Sequence, residues 1–170
     1  MQGSKVSAVV EVTVRAYEPE RDRDWARSTL ERHLGGAVQA RRGELVDALA
    51  PPALVAERGG EPVGLLVYRP DGDECELLAL VAVEPDAGVG SALVAALREA
   101  VAGRCSRIWV VTTNDNLRAL RFYQRRGFAL SALRPGAVDD ARRRLKPQIS
   151  LVGGDGIPIR DELELELRLR

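Results

Sequence analysis

Two stretches of this chain set polar and flexible residues where they could meet a ligand. The first is Val83-Glu84-Pro85-Asp86-Ala87-Gly88-Val89-Gly90-Ser91, where an apolar run ends and a helical pattern begins. Gly88 and Gly90 have no Cβ, so backbone N–H groups there can approach a bound group closely. A helix start also leaves N–H groups without partners and carries partial positive charge. That chemistry suits an anion, above all a phosphate or pyrophosphate. The glycines alone also fit a plain strand-to-helix turn, because the run lacks the G-x-G-x-x-G of a dinucleotide site and the Lys of a P-loop. The second stretch runs from Thr112 to Phe128. Asn116 and Tyr123 lie two helical turns apart, on one stripe with Ala119 and Leu120 that is about 10 Å long. Asn116 carries an amide that donates and accepts, and Tyr123 a phenol that can give up a proton. Ala119 between them leaves room for something thin. The same helix could simply cap with Asn116 and pack Phe122 and Tyr123.

Three further residue types are candidates for proton or metal chemistry. Glu76 sits on a strand that leads to the glycine turn and could take a proton through a water; Glu74 shares its face. Cys75 points the other way, toward the core, and Cys105 falls in a Gly103-Arg104-Cys105 turn without an evident role. His33 is the only histidine. It closes a helical stretch, where the macrodipole favours it. With two distant cysteines and one histidine, neither a metal site nor a disulfide framework is expected.

These residues need elements to hold them. Residues 10–17 alternate apolar and polar, as a half-buried strand does, and Pro19 opens a helix that ends at Gly35-Gly36. Residues 37–50 fit a weak strand or a short helix. Strands are expected over 53–58, 61–68 and 74–83, joined by Gly59-Gly60 and Pro70-Asp71-Gly72, and such short links make them antiparallel. A helix follows over 88–102, a buried strand over 107–113, and a helix from the Asn114-Asp115-Asn116 cap to Arg126. Arg125 and Arg126 in its last turn suit the macrodipole, with Gly127 beyond. A strand over 128–134, a helix over 137–145 and a strictly alternating strand over 162–170 complete the chain. The strands flanking the 88–102 helix should be parallel, giving a mixed α/β fold of three layers around a mostly antiparallel sheet of six to seven strands.

Composition sets outer bounds. The chain has 170 residues, 25 Lys+Arg and 25 Asp+Glu, hence zero formal net charge. That length suits a single domain over 1–170. Zero net charge counts against an extended nucleic-acid partner. No apolar run approaches the ~18 residues of a membrane helix, so no membrane partner is expected. The N-terminal residues lack a signal-peptide core, and cysteine usage fits a reducing cytoplasm.

Together the two stretches resemble the GNAT-type N-acetyltransferase superfamily, most strongly over 74–128. The carrying pattern is N-x-N-x-x-A-x-x-F-Y-x-x-x-G-F, from Asn114 to Phe128, after the Gly88-Val89-Gly90 helix start. The segment from Lys146-Pro147 to Asp161-Glu162 is similar to a bacterial subgroup of that superfamily. The resemblance implies acetyl-CoA as cosubstrate, no metal, and an amine acceptor: a small molecule, an amino acid or a peptide. It implies that strands 74–83 and 107–113 splay, and that pantetheine bonds backbone near Val81 and Val83. It further implies pyrophosphate on the amides of Ala87, Gly88, Val89, Gly90 and Ser91. Asn114 and Asn116 are then assigned to the cofactor, with Tyr123 near the sulfur as general acid and Glu76 as candidate base. A non-catalytic CoA-binding module of the same fold is the alternative. The family's basic residue, three positions before the first glycine, is Pro85 here, so pyrophosphate binding would rest on backbone N–H groups and the helix dipole, with less side-chain charge. Residues 135–162 are expected to border the acceptor pocket or a homodimer contact.

Overall fold

The computed structural model describes residues 10–170. The N-terminal signal reading therefore falls partly on residues 1–9, outside the described residues. Alternation and turn residues build most of the elements where the sequence places them. They are β1 (Val12–Ala16), α1 (Pro19–Leu34), β2 (Val38–Arg41), β3 (Glu44–Asp47), β4 (Ala53–Arg58), β5 (Glu61–Asp71) and β6 (Glu74–Ala82). There follow α2 (Val89–Val101), β7 (Arg107–Thr113), α3 (Leu117–Gln124), β8 (Ala129–Arg134), α4 (Ala137–Arg144) and β9 (Glu162–Arg168).

Seven strands form one sheet in the order β1-β4-β5-β6-β7-β9-β8. Among the described residues only the β6–β7 pair is parallel, as a crossover through α2 requires. Both faces of the central strands are covered. On one face Leu54, Leu66, Leu77 and Ile108 pack with Leu93 and Leu97 of α2 and with Tyr123 of α3. On the other, Val55, Leu65, Val67 and Ala79 pack with Ala26 and Leu30 of α1. Two-sided burial explains why 53–58 and 74–83 read as nearly unbroken apolar runs. Arg15 of β1 fixes the start of α1 through two bonds to Asp22, at 2.7 and 2.8 Å. Asp22 also accepts the Glu18 N–H at 2.8 Å, and the Arg15 guanidinium holds its carboxyl below the usual range.

Residues 37–50 are neither a lone strand nor a helix. They form a separate antiparallel hairpin of β2 and β3, turning at Arg42 (φ 48°) and Gly43 (φ 79°). Positive φ at both positions is the hairpin geometry that Asn-Gly or Asp-Gly usually marks, and Arg-Gly marks it weakly.

One glycine sets how closely α2 lies on the sheet. A Cβ on Gly64 of β5 would strike the Val89 side chain and come within 2.9 Å of Leu93 Cδ1. Gly64→Ala should therefore destabilise the fold by about 1–3 kcal/mol through overpacking. Urea unfolding would show it as a lower midpoint at unchanged slope. An unchanged midpoint would mean that α2 does not pack as described.

Candidate active site

The parallel ladder between β6 and β7 is short. It holds only Glu74↔Arg107, Cys75↔Ile108 and Glu76↔Trp109. Beyond those pairs both strands continue, β6 to Ala82 and β7 to Thr113, with no ladder between them. Each stays paired on its outer side, Leu65↔Val81 on β5 and Thr113↔Glu162 on β9. A wedge opens between two strands that are firmly held from behind.

A bulge accompanies the opening. Tyr68 pairs with Leu77 and Val67 with Ala79, so Leu78 has no opposite number. One extra residue bends a strand and moves its later side chains to the other face. Cys75 and Leu77 accordingly pack on the α2 face before the bulge, and Leu80 and Ala82 do so after it. The free edge of 77–82 offers main-chain donors and acceptors to an extended ligand, much as an open sheet edge does.

A cleft of about 1060 Å³ continues from this edge, lined by Leu80, Val81 and Ala82, by Gly88 to Ser91, and by the Asn116–Tyr123 face of α3. Gly88 caps α2 with φ 79°, and no side chain caps that helix. Its first N–H groups are thus left to a ligand. Gly90 admits α3 to the same place: a Cβ there would lie 2.7 Å from the Phe122 ring. A smaller depression of about 360 Å³ at the start of α1 brings together only side chains of 19–24.

The sequence-derived candidates fare differently. Tyr123 lines the cleft and is 6% exposed. Its ring stands edge-on to Phe122, centroids 5.2 Å apart, and tilted against Phe128 at 5.3 Å. Burial pushes its phenol above the ordinary tyrosine value, against a smaller opposing effect of Arg126. The hydroxyl is therefore a protonated donor at neutral pH. Asn116 caps α3, accepting the Ala119 N–H at 3.1 Å, and also lines the cleft. Val81 borders the cleft. Val83 follows the open edge, but its N–H is given to the Val63 carbonyl at 2.9 Å. Ala87 accepts a bond from Arg58 at 3.1 Å.

Two of the assigned side chains are engaged within the chain itself. Asn114 is spent on the chain itself. Its Oδ1 accepts the N–H groups of Arg160 and Asp161, both at 3.0 Å, and its Nδ2 donates to the Pro158 carbonyl at 2.9 Å. It ties 158–161 to the end of β7. Glu76 is 2% exposed and lies where β6 and β7 are still paired. Arg41 grips both of its oxygens, and Arg69 approaches to 3.0 Å. Two guanidiniums occupy the carboxylate, and Glu76 is not among the residues that line the cleft. Glu74 is likewise taken by Arg107 at 2.7 Å. Cys75 is core, and burial pushes its thiol up to about 12.

The cleft also holds residues the sequence did not single out for it. His33 and Leu34, at the end of α1, form part of its wall, as do Arg118, Arg121, Arg125 and Arg126. The arginine-rich face of α3 was visible as sequence, but only the fold turns it toward the glycine turn. Among the described residues no group of His, Cys, Asp and Glu could hold a metal ion, and no helix is long and apolar enough to cross a membrane.

This fold is shared with solved acetyltransferase structures. An IAA acetyltransferase from Bacillus cereus ATCC 14579 superposes with a TM-score of 0.72 at 20% identity, covering 94% of this chain and 100% of the other. A GNAT family acetyltransferase from Elizabethkingia anophelis with acetyl-CoA bound gives 0.69 at 16% identity, covering 93% and 98%. In sequence the chain is 45% identical over 105 residues to the uncharacterized protein YdhI of Bacillus subtilis strain 168, which spans 61% of this chain and 65% of YdhI. The fold and its split strand pair thus define an acetyltransferase-type scaffold. The family model "Acetyltransferase (GNAT) family" matches residues 10–128, and the chain belongs to that family.

Proposed function

We propose that the protein transfers the acetyl group of acetyl-CoA to the primary amine of a small molecule, an amino acid or a peptide. The observation that carries this reading is the wedge, because its open β6 edge, its glycine-capped helix start and its buried tyrosine all border one cleft. A pantetheine arm is extended and amide-rich, so it can bond strand 77–82 as a strand would. The amides of Gly88 to Ser91 suit its pyrophosphate. The Elizabethkingia neighbour, with acetyl-CoA bound, supports the choice of donor.

The thioester supplies an activated acetyl group. The amine nitrogen attacks its carbonyl carbon, a C–N bond forms, and the C–S bond breaks. The leaving thiolate takes the Tyr123 proton, the amine releases its own proton to water, and the tyrosinate regains a proton from water to close the cycle. Direct attack asks the protein for alignment and one well-placed acid; in this reading the cleft gives the alignment and Tyr123 is the acid.

Mixing the protein with acetyl-CoA and a panel of amines, while following thiol release, tests the reaction. Thiol release that depends on one class of amine is expected. CoA binding without release for any amine would leave a CoA-binding module in place of an enzyme. No CoA binding would overturn the reading.

A further inference from the structure

The cleft contains an electrostatic mismatch. Its glycine loop brings Glu84 and Asp86 to the wall and no basic residue. Arg58 answers Glu84 from outside the cleft lining. Backbone N–H groups at a helix start amount to about half a charge, against several negative charges on a CoA molecule. The compensation lies across the cleft, where Arg118, Arg121, Arg125 and Arg126 converge on the same space. Spacings of three and four put Arg118, Arg121 and Arg125 on one stripe of α3. All three are exposed, and α3 has no acidic residue in its first turn to answer them.

Arg126 is held differently. Its guanidinium lies over the Phe122 ring, 3.5 Å from the centroid. Nη1 donates to the Phe122 carbonyl at 2.9 Å. Nε and Nη2 donate to Ser91 Oγ, at 3.1 and 2.5 Å, in the first turn of α2. The side chain is thereby fixed beside the Gly88–Ser91 amides with neutral partners only. Burial, and after it the neighbouring Arg125, lower its pKa. An anion at that helix start would offset both effects.

We propose that α3, and not the loop before α2, supplies the positive charge for the CoA phosphates. Arg126 serves the pyrophosphate, and Arg121 and Arg125, the two exposed members of the stripe nearest to it along the chain, serve the 3′-phosphate. This rests on CoA being the ligand. It goes further by assigning the phosphate subsites to named side chains and by giving the protein a preference for CoA over its dephosphorylated form. Fixing by Phe122 and Ser91 makes Arg126 preorganised, so little side-chain entropy is lost when the anion arrives.

Calorimetric titration of the full chain with CoA, 3′-dephospho-CoA and pantetheine tests the proposal. Arg126→Gln should weaken CoA and dephospho-CoA alike, by about 10- to 100-fold, and leave pantetheine unchanged. Arg126→Lys should recover part of the loss. The R121A/R125A double variant should weaken CoA, leave dephospho-CoA unchanged and flatten the salt dependence of CoA binding. Undiminished CoA binding by R126Q would overturn the assignment of Arg126, and so would an equal loss for pantetheine, which would mark a structural role. Equal losses for CoA and dephospho-CoA in the double variant would overturn the 3′-phosphate assignment. Wild-type protein that binds none of the three ligands would instead sink the acetyl-CoA reading, so the two failures are distinguishable.

Discussion

Tyr123→Phe protein is expected to bind CoA as the wild type does and to turn over about 10² to 10⁴ times more slowly. The change removes one oxygen. The ring contacts with Phe122 and Phe128, which join the start of β8 to α3, survive it, so stability and the shape of the cleft should be kept. What goes is the proton for the thiolate. A thiolate is a poorer leaving group than a thiol, and without the Tyr123 proton the C–S bond must break with the charge left on sulfur. Because burial raises the Tyr123 phenol, the wild-type donor stays protonated as pH rises from 7 toward 10. The rate should climb over that range as the amine loses its proton, with no tyrosine-type fall. Steady-state kinetics checks this as a drop in kcat at constant KM for acetyl-CoA, alongside unchanged CoA affinity by calorimetry. Full turnover by Tyr123→Phe would remove the acid role and leave Tyr123 as core.

How much of this was legible in the sequence depended on distance along the chain. The helix from Val89, the alternating β9 and the Asn116 cap are written in periods and neighbours, and each formed where its residues indicate. The parallel β6–β7 pair followed from the α2 crossover. The bulge at Leu78 left no trace, because Glu74 to Ala82 is buried on both faces and an unbroken apolar run carries no register. The β2–β3 hairpin was missed because Arg42-Gly43 is a weak turn signal. Asn114 was assigned to the cofactor through the family pattern, yet its partners in the chain are at 158–161. Arg126 looked like a macrodipole residue, yet Ser91 lies 35 positions earlier. Side chains whose partners are remote take their roles from the fold, and local spacing cannot assign them.

Glu76 is the sharpest case of that rule, and its replacement is the second large effect expected. Its carboxylate is held by Arg41, itself only 5% exposed. Arg41 belongs to the β2–β3 hairpin, so this pair clamps the hairpin to the main sheet at the last rung before the wedge opens. Removing Glu76 leaves the buried Arg41 only the exposed Glu44, at 2.8 Å, and breaking a buried pair from one side costs up to about 3–5 kcal/mol. Glu76→Ala should therefore lower the urea midpoint strongly. Replacing both members, as R41M/E76L, should restore most of that loss, because the partners left behind, Arg69 and Glu44, are solvent-accessible and 3.8 Å from each other, so no buried charge is orphaned. A catalytic base would behave otherwise. Its loss would cost turnover in molecules that are still folded, and the apolar pair would rescue stability without rescuing rate. Kinetics on R41M/E76L, at a temperature where it is fully folded, separates the two roles. We expect wild-type kcat and pH profile there, since the wedge begins one rung beyond Glu76 and Tyr123 lies on the far side of the sheet.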